Sequence, residues 1–301
     1  MSKSTKWFLA IFLTLAVIGV GFMFVFYSVV RTAGESRTET VTFGRGDKIA
    51  VVELKGVITS SEEVVRQLKK YRDDGSIKGI LLRIDSPGGA VVPSQEMYEE
   101  VKKTRAEKPV IASMGSVAAS GGYYVACGAS RLVANRGTLT GSIGVISEFL
   151  QLHEALAKLG IDVKTIKAGK LKDAGSNTTK MNPDHEKYFQ NLMDDVHKQF
   201  IAVVEDARDL EHSDAVALAD GRVFTGEQAV KLGLVDTLGT YEEAIQIAGE
   251  MCGIEGEPSL VKERERKSFF DRMFEVDEKM EAVKKEFLEK PILSYRFNGP
   301  F

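Results

Sequence analysis

The run from Trp7 to Val30 constrains this chain more than any other feature, because its 24 residues carry no charge. At about 1.5 Å per residue, a helix of that length crosses a hydrocarbon core of about 30 Å. Lys3 and Lys6 precede the run; Arg31, Glu35, Arg37 and Glu39 follow it. The lysines favour a cytoplasmic N-terminus, and the two arginines beyond the span weaken that bias. A cleaved signal peptide would have an apolar region of about 7–15 residues ending at small residues, which this run exceeds. A buried core helix is disfavoured by the absence of any polar face. The expectation is one retained transmembrane helix within residues 1–30, with most of the chain on the far side.

Residues 31–46 are polar and rich in Thr, Gly and Glu, the composition of a linker. From Lys48 the pattern changes to β-branched runs alternating with helical ones. Strands are expected at Lys48–Leu54, Gly79–Ile84, Val110–Met114, Arg131–Ala134, Ile143–Ile146 and Val163–Ile166. Helices are expected from Ser60–Ser61 to Arg72, with Ser60 and Glu63 as a capping box, and at Pro93–Arg105. Further helices are expected from about Ala118, at Leu150–Leu159, and from Asp184 to Arg208. Such alternation indicates an α/β domain whose sheet carries helices on its faces. A catalytic domain over 47–254 and a C-terminal segment over 255–301 follow. In that segment Phe269, Met273, Val276, Met280, Val283 and Phe287 are spaced 4, 3, 4, 3, 4. This is an amphipathic helix, packed on its own domain or forming a seam between subunits; both readings stay open.

Composition excludes some classes. With net charge −3 and no Lys/Arg stripe interleaved with aromatics, nothing draws the chain to nucleic acid. Its two cysteines, Cys127 and Cys252, lie outside any zinc-binding spacing, so no metal or cofactor is called for. Cys127 reads as a buried apolar filler.

Three clusters could carry chemistry. Asp85-Ser86-Pro87-Gly88-Gly89 ends a strand, and paired glycines let main-chain N–H groups approach a ligand; a plain tight turn is the simpler explanation. Gly115-Ser116-Val117-Ala118-Ala119-Ser120-Gly121-Gly122 is built of small residues at a strand end. Ser120 is its candidate nucleophile, Gly121 can present its N–H to a reacting oxygen, and Ser116 is the expected N-cap. Gly169-Lys170-Leu171-Lys172-Asp173 lies in a loop, where a solvated lysine pair is the default. A nucleophilic serine needs a base, yet none of His153, His185, His197 and His212 sits beside a glycine-rich or strand-end site. A lysine can serve if burial leaves it neutral near pH 7.

Together the clusters resemble the signal peptide peptidase family of Ser/Lys proteases in its short, single-catalytic-domain form. Five motifs in order carry the likeness: Arg-Ile-Asp-Ser-Pro-Gly-Gly (83–89), Ser-Val-Ala-Ala-Ser-Gly-Gly-Tyr-Tyr (116–124), Leu-Thr-Gly-Ser-Ile-Gly-Val (139–145), Gly-Lys-Leu-Lys-Asp (169–173) and Gly-Arg-Val-Phe-Thr-Gly-Glu-Gln-Ala-Val-Lys-Leu-Gly-Leu-Val-Asp (221–236). The resemblance implies a Clp protease/crotonase-like fold of repeated ββα units behind the membrane helix. It implies Ser120 as nucleophile and Lys172 as base, with Lys170 the competing lysine. It also implies Ser142 as the group orienting the base and the N–H groups of Gly89 and Gly121 as oxyanion hole, with Gly88 able to replace Gly89. The implied protein is a ring-like homo-oligomer on the bacterial inner membrane, its catalytic domain extracytoplasmic. It would cleave remnant signal peptides and similar apolar segments. The tail Lys290-Pro-Ile-Leu-Ser-Tyr-Arg-Phe is extended and apolar enough to enter such a groove.

A crotonase-type acyl-thioester enzyme is disfavoured by the span, the Ser120/Lys172 pair and the lack of an acidic residue over 115–124. A Ser/Lys protease with another membrane substrate, and an inactive peptide-binding scaffold, remain as rivals.

Overall fold

The computed structural model describes residues 7, 14–15, 18–24, 37–44, 46–266 and 294–296. The expected span over Trp7–Val30 lies largely outside them, and the heptad pattern from Phe269 to Phe287 lies wholly outside. The chain divides into two units, residues 1–41 with 263–290, and residues 42–262 with 291–301. In the first, residues 18–24 are helical and their large apolar side chains are exposed. Among the described residues, no helix is long and apolar enough to cross a membrane.

The second unit is a mixed α/β domain on a mainly parallel sheet. Its central strands are β2 (Lys48–Lys55), β3 (Ile77–Ser86), β5 (Val110–Ala119) and β6 (Arg131–Ala134), numbered after β1 (Arg37–Phe43) and the short β4 (Gly88–Ala90). β2, β3, β5 and β6 neighbour one another in that order, all parallel. β9 (Thr237–Leu238) lies beside β6 and β10 (Ser259–Arg266) beside β2, both parallel. Side chains alternate along each strand, as the period of two requires. Ala50, Val52, Ile80, Leu82, Ala112 and Leu132 enter a core under the helices Glu62–Asp73, Val91–Arg105 and Pro183–Arg208. Ile49, Val51, Leu81, Ile111 and Val133 enter a smaller core under the helix Tyr241–Met251.

β5 changes partners midway, and this positions the site. Ile111–Met114 pairs with β6, whereas Val117–Ala119 pairs with β7 (Leu139–Gly141). Gly115 lies between the two paired stretches, where an added Cβ would lie 2.9 Å from the Asp85 carboxyl carbon. Asp85 Oδ1 accepts from the Val117 N–H at 3.1 Å, and Thr138 Oγ1 donates to the Gly115 carbonyl at 2.7 Å. The antiparallel strand β8 (Val223–Thr225) closes against β7.

Several expectations need correction. The linker contains the strand β1, and residues 255–301 contain the strand β10. The strand expected at Val110–Met114 runs on to Ala119, so Ser116 is a strand residue and the following helix starts only at Gly121. Ile143–Ile146 is not a continuous strand but a single bridge at Ile146, and Val163–Ile166 is irregular. The helix expected at Leu150–Leu159 is shorter, His153–Lys158. The capping box at Ser60 does not form; Ser61 occupies the N-cap and hydrogen-bonds Glu96 instead. Cys127 is buried, as its apolar surroundings led one to expect, and both cysteines are free.

Candidate active site

Ser120 stands at the junction of β5 and the helix Gly121–Ala126, with φ 53° and ψ −118°. A non-glycine residue at positive φ is held there by its surroundings, at a cost of about 1–3 kcal/mol. Two bonds do the holding: the Ser120 N–H donates to the Gly141 carbonyl at 2.8 Å, and the Ser120 carbonyl accepts from the Tyr124 N–H at 2.8 Å. The side chain is 1% exposed, and its hydroxyl has no hydrogen-bond partner among the described residues. A buried hydroxyl is normally paired, so this orphan is the kind found where a reaction partner is still to arrive.

The glycine turn of 83–89 meets Ser120 from the neighbouring strand. The Ser86 hydroxyl donates to the Gly56 carbonyl at 2.7 Å and accepts from the Gly88 N–H at 3.1 Å. β4 then lies parallel to Ile58: the Ile58 N–H donates to the Gly88 carbonyl at 2.9 Å and the Ala90 N–H to the Ile58 carbonyl at 2.7 Å. With Gly88 and Ala90 so used, the N–H and C=O of Gly89 face the opposite way. There they meet β11 (Ser294–Arg296), which pairs antiparallel with β4 in the register Tyr295↔Gly89. The other edge of β11 bonds Ile146, through Ile146 N–H to Ser294 O at 3.1 Å and Ser294 N–H to Ile146 O at 3.2 Å. A three-residue peptide is thereby held as a strand between two backbone edges. This is the tail expected to enter a groove, and residues 294–296 do so.

The Tyr295 carbonyl oxygen sits where the candidate oxyanion donors converge. A Cβ added to Gly88 would overlap this oxygen and would lie 2.5 Å from the Gly121 nitrogen. A Cβ added to Gly121 would lie 3.1 Å from the same oxygen and 2.6 Å from Ser94 Oγ. Gly88 has φ +93°, so glycine is required there for both conformation and space. Between the two sequence candidates, the N–H of Gly88 is committed to Ser86 and that of Gly89 is turned to the peptide. Ser142 borders the same junction with φ 50°, buried, its N–H donating to the Arg222 carbonyl at 2.8 Å. His197 Nε2 lies 3.3 Å from the neighbouring Ile143 carbonyl.

Ser120, Gly88, Gly89, Gly121 and the Gly141–Ser142 turn thus assemble in the folded domain. Lys172 does not join them in the single chain; it is exposed, on a turn closed by its N–H bonding the Gly169 carbonyl at 3.2 Å. That turn is itself anchored. Lys167 Nζ donates to the Lys170 carbonyl at 3.0 Å and pairs with Asp173, whose carboxyl lies 4.0 Å from His185 Nε2. The hydrogen bond from Lys167 holds the Asp173 carboxyl below its ordinary range. Gly175, at φ +82°, packs under the rings of Phe149 and Phe189. Lys170 points elsewhere, bonding Asp184 at 2.6 Å. Sequence reasoning missed Ser86, Ser94 and the Lys167–Asp173 pair; only their closeness to the glycine and lysine motifs could have drawn attention to them.

Comparison with known proteins shows the family of the chain. The model of peptidase family S49 matches residues 102–255, and that of Clp protease matches residues 47–146. The chain is 43% identical over 209 residues to a putative protease of Synechocystis, covering 69% of this chain and 76% of that one. It is 35% identical over 228 residues to a putative signal peptide peptidase SppA of Enterococcus faecium, covering 71% and 66%. It is also similar to the chloroplastic serine protease SPPA of Arabidopsis thaliana, at 34% identity over 228 residues, covering 71% and 34%.

Proposed function

Given that this chain belongs to peptidase family S49 and is a serine protease, we propose that Ser120 is its nucleophile and Lys172 its general base. One observation carries the reading: a peptide strand, Ser294–Arg296, lies across the site with its Tyr295 carbonyl beside Gly121, next in the chain to an unpartnered serine hydroxyl. A substrate bound in the same register offers its scissile carbonyl at that point. Ser120 Oγ attacks the carbonyl carbon, and the charge that develops on oxygen is taken by the N–H groups of Gly89 and Gly121. Each such donor is worth about 10²–10³ in rate. Lys172 accepts the serine proton and delivers it to the leaving amine; water then releases the acyl group by the same route. Ser142 orients the lysine.

A lysine acts as a base only when cover from solvent leaves it neutral. The exposed position of Lys172 therefore makes cover by a neighbouring copy part of the proposal. The segment leading to it supports this, since Leu159, Ile161, Val163 and Ile166 are all exposed. Clustered apolar surface of that kind marks an interface. The uncharged run Trp7–Val30 anchors the homo-oligomer in the bacterial inner membrane, with the catalytic domain on the extracytoplasmic side. The substrates are remnant signal peptides and similar apolar segments, which bind extended between Gly89 and Ile146.

The test is peptidase activity of the full chain in detergent micelles beside Ser120→Ala, Lys172→Ala and Lys170→Ala. Loss in the first two, with unchanged unfolding curves and an active Lys170→Ala, is the expected result. Full activity in Lys172→Ala overturns the assignment of the base. A silent parent that also fails to react with a serine-directed phosphonate favours a peptide-binding scaffold.

A further inference from the structure

β5 divides its pairing between β6 and β7, and the chain passes from one to the other through residues 135–138. A cavity of about 500 Å³ opens there, beside the carboxyl ends of β6 and β9. Open α/β sheets take ligands outside such strand ends, and a volume of this order holds a small molecule. The cavity is separate from the peptide groove. Tyr295 packs into the larger core, whereas Tyr241, on the cavity wall, packs against the smaller core on the other face of the sheet.

The charge in the cavity comes from Arg83, a half-buried residue of β3 in register with Ser113 of β5. Its Nη1 donates to Ser113 Oγ at 2.9 Å and to the Met114 carbonyl at 3.2 Å. Its guanidinium carbon lies 5.1 Å from the centre of the Tyr241 ring. These contacts fix the plane of the fork, and Nε and Nη2 have no hydrogen-bond partner among the described residues. The acidic groups nearby are engaged elsewhere. Glu53 pairs with Lys55 and Lys262, Asp85 Oδ1 accepts from the Val117 N–H, and Glu243 accepts from the Thr240 N–H. A guanidinium fork matches a carboxylate or phosphate bidentately, and this one lines a cavity with half of its fork unused. The remaining lining is mixed: exposed Ser116 and Asn135 supply polar groups, and Val117, Leu139 and Tyr241 supply an apolar wall.

We propose that this cavity is a second binding site, for a carboxylate carried on a small apolar body. Arg83 receives the two carboxylate oxygens through Nε and Nη2, and the body lies against Val117, Leu139 and Tyr241. A phosphate fits less well, because its second charge calls for a second cation and Arg83 is the one cationic residue among the described lining. Two sources share the carboxylate chemistry: a free aliphatic acid and the C-terminal residue of a cleaved peptide. The site does not depend on the roles given to Ser120 and Lys172.

The experiment is calorimetric titration of the full chain in micelles, with the heat of protein-free micelles subtracted. The probes are isocaproate and N-acetyl-Ala-Ala-Leu, each beside its neutral amide. Expected is saturable binding of at least one acid, about 10–100-fold tighter than its amide, since the amide lacks the charge that the fork pairs with. Binding of isocaproate alone identifies a free acid as the source; binding of the peptide acid alone identifies a peptide end. Arg83→Gln should weaken the acid about 10–100-fold and leave the amide within about twofold. Ser116→Trp leaves the guanidinium in place and fills the cavity from an exposed strand position, so it should weaken the acid to a similar degree. Acid and amide binding equally overturns the proposal, as does the absence of saturable binding below about 10 mM. Acid affinity that survives in both variants belongs to the peptide groove and overturns it too.

Discussion

Replacing Gly88 by alanine places a methyl group where the proposed mechanism puts the reacting oxygen. The added Cβ would overlap the position held by the Tyr295 carbonyl oxygen and approach the Gly121 nitrogen to 2.5 Å. Either the substrate carbonyl is displaced or the Gly121 N–H is pushed away, and one oxyanion donor is lost. A single such donor is worth about 10²–10³ in kcat, or about 2.7–4 kcal/mol. The folded state has a separate, smaller cost, because φ +93° is a conformation that alanine adopts at about 1–3 kcal/mol. For a domain of this size that corresponds to a fall in Tm of roughly 2–12 °C. The assay pairs kcat/KM on an apolar peptide with thermal unfolding, using Gly75→Ala as control, since a Cβ there meets nothing within 4 Å. The expected outcome is a folded Gly88→Ala protein at least 100-fold slower than parent and a Gly75→Ala protein indistinguishable from it. A Gly88→Ala protein that remains within threefold of parent would refute the placement of the scissile carbonyl.

Other perturbations follow from the same structure. Tyr295→Ala in the full chain removes the tail's buried ring, so KM for an apolar peptide should fall several-fold while kcat stays unchanged; an unchanged KM would mean that the tail does not compete. Asp173→Asn removes the partner of Lys167 and should lower kcat more than it raises KM, with little change in Tm; equal activity would separate that pair from catalysis. The folded pKa of Asp173 is depressed, so its contribution is present above the unfolded value near 3.8 and is lost as pH falls through the lower folded value. Amide protection factors over 167–176, corrected for the intrinsic pH dependence of exchange, should accordingly stay constant from pH 8 to pH 5. Cys127 is buried and its thiol is pushed up to about 12, so alkylation at pH 8 should reach it only on unfolding; rapid native labelling would contradict the packing. Leu82→Ala, in the larger core, should cost about 2–5 kcal/mol in a denaturant titration.

Much of the sheet could be read from the chain because its information is local. The runs at Lys48–Leu54, Gly79–Ile84 and Arg131–Ala134 are apolar on both faces, as parallel strands covered by helices must be. The helices Val91–Arg105 and Pro183–Arg208 were expected within two residues of where they lie. The candidate nucleophile and oxyanion glycines could be proposed from sequence for a related reason: each role needs a particular residue type at a strand end, and that requirement is written into a short motif. Misreadings arose where a local pattern was overruled by a distant partner. β5 continues to Ala119 because β7 and Asp85 extend it, and neither is close in sequence. Ile146 is an edge for β11 rather than part of a strand, because its partner lies about 150 residues away.

By itself, then, the sequence determined the alternation of strands and helices, the family to which the chain belongs, and which serine and glycines are candidates for chemistry. These properties depend on residues within one or two turns of each other. Only the tertiary structure shows that the Gly88 N–H goes to Ser86 and that Gly89 pairs with the peptide strand. It alone seats Tyr295 against Tyr124 and Phe200. Those contacts join segments whose order along the chain carries no trace of their meeting, and folding brings them together to bury aromatic surface and satisfy backbone hydrogen bonds.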